Sequence, residues 1–195
     1  MRDQLLRALD RTAATFRGHL VAVSAGDWSR ATPCTEWDVR YLVAHVVGGN
    51  RFASMILGGH TAAEALEAVM GSAQLGTDPL GDYDDSVEDQ RTRFRADGAL
   101  GGIVSHPLGD MPGVRFLGMR VFDVTVHAWD LAAALGRDAG LDDELVDDVL
   151  DLMEREPPGT GFGIEPCGRV GVGASPLERL LDLTGRGGGA ALEAT

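Results

Sequence analysis

From Val114 to Leu135 the chain runs without a proline, and Leu117, Val121, Val124, Ala128, Leu131 and Leu135 recur at spacings of three and four. That repeat is one face of an α-helix, and Gly136 supplies the residue type that ends one. A helix of about six turns with a single apolar stripe cannot bury that stripe alone. Other helices must cover it, so the chain is directed toward a bundle. Asp123 and His127 border the same stripe, four residues apart.

Further helical patterns supply the partners. Leu5, Leu6, Leu9, Ala13, Phe16, Leu20 and Val23 mark a helix from about Arg2 to Ala25. Asp38 reads as the N-cap of a second helix that runs to about Leu57 and stops at Gly58-Gly59. Thr61 and Glu64 form a capping-box pattern for a short helix to about Ser72. A helix with a thin apolar face, Val87 and Phe94, is expected over 84–97, and 98–113 reads as a loop or short hairpin. Leu141 to Arg155 is amphipathic and ends before Pro157-Pro158. Ser175 and Pro176 open a last short helix. These patterns predict an all-α, up-and-down four-helix bundle with short extra helices over 1–155. A Gly-rich C-terminal appendage over 156–186 packs on it, and 187–195 reads as a disordered tail.

The chain of 195 residues is long enough for a core without staples. Its net charge is −13 and all seventeen basic residues are arginine, with no basic block, which argues against nucleic acid as a partner. Two cysteines, Cys34 and Cys167, fit a reducing cytosol and not a disulfide scaffold. No stretch reaches the ~20 apolar residues of a membrane span, and no signal peptide is visible. The expected location is the cytoplasm.

Residues four apart on a helix lie on one face, so Asp123 and His127 can reach one ion. His45 on the second helix also sits beside an apolar stripe, with Leu42, Val46 and Gly49. Two imidazoles and one carboxylate suit Zn²⁺, Ni²⁺ or Fe²⁺ and leave positions open for water or substrate. The alternatives are a core histidine at 45 and a plain Asp–His bridge on the later helix. Asp130, three beyond His127, either accepts a hydrogen bond from a site histidine or is a surface acid. Arg120 either clamps a substrate carboxylate or pairs with Asp123. Arg51 is a further candidate to hold a substrate carboxylate, and His106 is a candidate for the cavity wall. Cys34 reads as a small buried hydrophobe, with a thiol at the mouth of the site as the alternative. Trp28 and Trp37 are expected to pin their loop to the bundle.

Three blocks carry a resemblance. The run from Trp28 through Pro33, Cys34, Thr35, Glu36 and Trp37 to His45, the run Asp123-Val-Thr-Val-His127-Ala-Trp129-Asp130-Leu-Ala, and the run Ser175-Pro-Leu-Glu-Arg to Gly185-Arg186 together resemble the mycothiol-dependent maleylpyruvate isomerase family, in an actinobacterial subgroup. That family belongs to the DinB-like superfamily of metal-binding four-helix bundles. The resemblance implies three metal ligands, which fall on His45, Asp123 and His127. It implies Glu at the second position, where this chain has the shorter Asp. It also implies mycothiol as cosubstrate. The expectation is a metal-dependent transferase or isomerase, Zn²⁺ first among the candidate metals, that joins a low-molecular-weight thiol to a small electrophile. The alternative is a non-catalytic divalent-metal or small-molecule binding protein. A homodimer is compatible with either.

Overall fold

A computed structural model of the chain describes residues 2–71, 75–155 and 165–186. Seven helices and one minimal hairpin are present among them. Four long helices form the bundle: α1 (Arg2–Leu20), α2 (Val39–Leu57), α4 (Pro79–Arg95) and α5 (Gly113–Ala134). Helix α1 packs against α5 and α4, and α2 packs against the same two. Helix α3 (Ala62–Gly71) lies on α2, α6 (Asp143–Arg155) lies on α5 and α1, and α7 (Pro176–Leu183) lies on α6. None of these helices is long and apolar enough to cross a membrane.

Local sequence sets most of the boundaries. Asp38 accepts from the Tyr41 backbone N–H at 2.8 Å and caps α2. The Thr61 and Glu64 pair forms the expected reciprocal bonds ahead of α3. Ser175 and Glu178 do the same for α7, with Pro176 at its first position. Residues 103–104 and 111–112 pair as the antiparallel hairpin β1–β2 (Ile103–Val104 and Met111–Pro112). The notable shift is in α4, which starts at Pro79 and not at 84. Asp78 accepts from the Gly81 N–H at 3.0 Å, and Pro79 is suited to the first turn. The expected tail over 187–195 and the Pro157-Pro158 break lie outside the described residues.

The apolar interior has two parts. Leu9, Phe94, Phe116, Leu117 and Val121 lie in one, and Phe16, Leu42, Val43, Val46, Val124 and Leu131 in the other. Burying a Leu, Val or Phe side chain contributes about 1.5–3 kcal/mol each. Helix α4 adds a polar face as well as an apolar one: Tyr83, Ser86 and Gln90 are buried alongside Val87 and Phe94. The Tyr83 ring stacks on Phe16 with centroids 5.1 Å apart, and its hydroxyl donates to the Ala13 carbonyl at 2.9 Å. Tyr83→Phe is therefore expected to lower unfolding free energy by about 1 kcal/mol, because a buried carbonyl loses its second donor while the ring stays packed. Urea unfolding measures it, and an unchanged midpoint contradicts it.

Candidate metal centre

Helices α2 and α5 meet where their apolar stripes carry His45, Asp123 and His127. One nitrogen from each imidazole and one carboxylate oxygen all lie within 4.8 Å of one another. Asp123 Oδ1 is 3.4 Å from His45 Nε2 and 3.5 Å from His127 Nε2. The imidazole rings stand edge to face, with centroids 4.8 Å apart. Asp123 and His127 are buried, at 8% and 7% exposure, whereas 37% of the His45 side chain is open to solvent. The cluster is thus closed on the α5 side and open beside His45.

The second oxygen of Asp123 is occupied. Arg120 Nη1 donates to Oδ2 at 2.9 Å, and Arg120 Nη2 donates to Asn50 Oδ1 at 2.9 Å. Of the two expectations for Arg120, the pairing with Asp123 is the one found. Asn50 is itself oriented, donating to Ser86 Oγ at 3.0 Å and accepting from Gln90 Nε2 at 2.7 Å. The guanidinium passes over Gly49, where a side chain would collide with it. Glycine at 49 and the polar face of α4 therefore hold Arg120 in place.

His127 is gripped from its other side. Its Nδ1 lies 2.9 Å from Asp130 Oδ2, and Asp130 is fully buried. Arg186, just beyond α7, forks onto Asp130 with Nε to Oδ1 and Nη2 to Oδ2, each 2.7 Å. Cys34 joins this group, donating to Asp130 Oδ2 at 3.2 Å with its sulfur 3.4 Å from Arg186 Nη2. It is half-buried, packed against the apolar core beside Trp28 and Trp37 while its sulfur faces this polar group. The loop that carries it is tight: Trp37 N–H donates to the Cys34 carbonyl, and Glu36 takes a positive φ of 69°. The turn lays Trp37 over both histidines, with ring centroids 4.8 Å from His45 and 5.6 Å from His127. Trp37 thus walls the cluster besides fixing its loop.

Two other candidates lie elsewhere. Arg51 pairs with Asp82 at 3.0 Å. His106 packs edge-on to Phe52, near Phe116, and accepts from the Leu108 N–H. Neither forms a hydrogen bond or ion pair with His45, Asp123 or His127 among the described residues.

The charges of the cluster are set by its own pairing. Burial alone would raise the pKa of Asp123, but Arg120, His127 and His45 outweigh it and hold the carboxyl well below its ordinary range. Burial would depress His127, yet Asp123 and Asp130 on its two sides keep it well above the ordinary histidine value. Asp130 is likewise held ionised against its burial by Arg186 and His127. His127 thus lies between two ionised carboxylates, and a metal on its Nε2 would displace a proton. The cluster's donors, two imidazoles and a carboxylate, are those of divalent transition-metal sites, so the residues fit a metal ion.

The family model for the mycothiol maleylpyruvate isomerase N-terminal domain matches residues 9–132. An uncharacterized protein of Mycobacterium tuberculosis, found in strains CDC 1551 / Oshkosh and ATCC 25618 / H37Rv, is 34% identical over 188 residues, covering 93% of this chain and 98% of the relative. Among solved structures, the mycothiol-dependent maleylpyruvate isomerase aligns with a TM-score of 0.60 at 16% identity, and a histidine-to-alanine mutant of it with 0.62 at 17%. Each alignment covers 76% of this chain and 67% of the other. The likeness is one of fold, and it agrees with the all-α bundle expected from the sequence.

Proposed function

The chain belongs to the mycothiol maleylpyruvate isomerase N-terminal domain family, and on that premise we propose that it is a divalent-metal enzyme that uses a mycothiol-like thiol to isomerise or conjugate a small electrophile. The observation that carries this reading is the convergence of three donor atoms from α2 and α5, within 4.8 Å, at a point open to solvent on one side. His45, Asp123 and His127 would hold the ion, with Zn²⁺ first among the candidates and Ni²⁺ or Fe²⁺ behind it. A bound divalent ion stabilises a thiolate over a thiol, and the thiolate is the nucleophilic form.

The chain's own residues prepare that chemistry. Arg120 occupies Asp123 Oδ2 and so leaves Oδ1 facing the two histidines. Asp130 accepts at His127 Nδ1, which keeps Nε2 turned toward Asp123. Trp37 covers the two imidazoles and limits water on that side. The open face beside His45 is where a thiol and its electrophile would enter. Such an enzyme would work on small molecules in the cytoplasm, without nucleic acid or membrane.

The test combines metal analysis with turnover. Protein purified without chelator is expected to carry close to one divalent ion per chain. Mycothiol-dependent isomerisation of maleylpyruvate, or thiol consumption with other small electrophiles, is expected to fall by about a hundredfold or more in His45→Ala, since each ligand of a zinc site carries a few kcal/mol. Equal rates in the variant and the parent remove the metal from the mechanism.

A further inference from the structure

We propose that Arg186 is a positioning residue of the metal centre: acting through Asp130 it fixes the ring of His127, so the segment that closes α7 is part of the site although it lies outside residues 9–132. This inference rests on the metal reading above. Asp130 has no exposure, and both of its oxygens are committed. Oδ1 accepts from Arg186 Nε; Oδ2 accepts from Arg186 Nη2, His127 Nδ1 and the Cys34 thiol. A carboxylate held at two points by one planar fork cannot swing about its Cβ–Cγ bond. Without the fork, a buried negative charge would have only the imidazole and a thiol to steady it, which is costly. The direction of the His127 ring is then left to packing.

Arg186 is itself built into position. Its backbone N–H donates to the Leu181 carbonyl at 2.7 Å and that of Gly185 to the Asp182 carbonyl at 3.2 Å, the paired bonds of a helix-closing Schellman turn. Gly185 has a φ of 73°, and a Cβ there would sit 3.0 Å from the Glu165 carbonyl oxygen. The turn aims the side chain back at α5, where Nη1 also donates to the Thr184 carbonyl at 2.7 Å. Only 11% of the Arg186 side chain is exposed. A staple between α7 and the bundle would serve equally well on any acid of the α5 or α6 surface. This one ends on the acid that touches His127.

Sign separates positioning from plain charge. By Coulomb repulsion alone, removing a guanidinium near a divalent ion tightens binding. If Arg186 orients His127, removing it weakens binding. The experiment titrates the metal-free full chain with Zn²⁺ against a chromophoric chelator, and records the melting temperature of the metal-free protein in parallel. Arg186→Gln is expected to bind Zn²⁺ about tenfold more weakly, the lower end of what partners of metal-bound histidines contribute. Arg186→Lys, which keeps the charge but not the fork and is the safer variant for folding, is expected to fall between. In an Asp130→Asn background, Arg186→Gln is expected to cause no further loss. Unchanged or tighter Zn²⁺ binding by Arg186→Gln, with only the melting temperature lowered, overturns the inference and leaves the metal reading standing. Absence of Zn²⁺ binding by the unsubstituted protein overturns both.

Discussion

Asp123→Ala is expected to do two kinds of damage at once, and the two are separable. The first is to the fold. Arg120 is 7% exposed, and its ion pair with Asp123 balances its charge. Truncating the acid strands a buried guanidinium on Asn50 alone, and breaking a buried pair in this way costs about 3–5 kcal/mol. Urea unfolding in the presence of a chelator reads that loss with no metal contribution. The second is to the ion. Removing the only carboxylate of the three donors is expected to weaken Zn²⁺ binding by about two orders of magnitude or more. Asp123→Asn keeps the shape and a hydrogen-bond acceptor for Arg120, so it is expected to recover part of the stability while binding stays weak. If Asp123→Ala unfolds at the parent's midpoint, Arg120 has another counter-charge and this account of the α2–α5 interface is wrong.

Gly49→Ala is expected to destabilise the protein by about 3 kcal/mol, although alanine in a helix interior is ordinarily favoured over glycine by about 1 kcal/mol. The reversal comes from one contact. A methyl group at 49 would occupy the space of the Arg120 guanidinium, so Arg120 must leave Asp123 or Asn50. Gly18, in α1, has open space where its Cβ would be, and Gly18→Ala is expected to be neutral or mildly stabilising. Thermal unfolding of both variants checks the pair. Similar effects at the two positions would mean that Arg120 yields without cost.

The sequence carried the helices and the Asp123–His127 pairing on one face for the same reason. Both depend on spacing within one element: the stripe from Leu117 to Leu135 repeats at three and four, and Asp123, His127 and Asp130 inherit that geometry, while His45 shows only its place beside the stripe of its own helix. Arg120 and Asp130, which hold Asp123 and His127 from α5 itself, were legible by the same spacing, whereas the partners that arrive from other elements were not. Nothing in the neighbours of Gly49 says that an arginine from α5 will lie across it. Asn50, Ser86 and Gln90 look like solvated polar residues until α2 and α4 are packed together. Cys34 packs against the apolar core as its residue type suggests, but its contact with Asp130 comes only with the packing of its loop on α5. Arg186 left a local trace, the Leu-Thr-Gly-Arg run of a helix-closing turn, but its target lies 56 residues earlier. The early start of α4 had its own signal in Asp78-Pro79, masked by the acidic run that follows.

The fork from Arg186 onto Asp130 also fixes an order of events during synthesis. Every donor of the triad lies at or before His127, whereas Arg186 follows Asp130 by 56 residues. A nascent chain that has just released α5 holds every donor of the triad but not the arm that steadies His127. The bundle can therefore assemble first, with His127 and Asp130 still free to rearrange, and the pocket takes its final shape only when α7 docks.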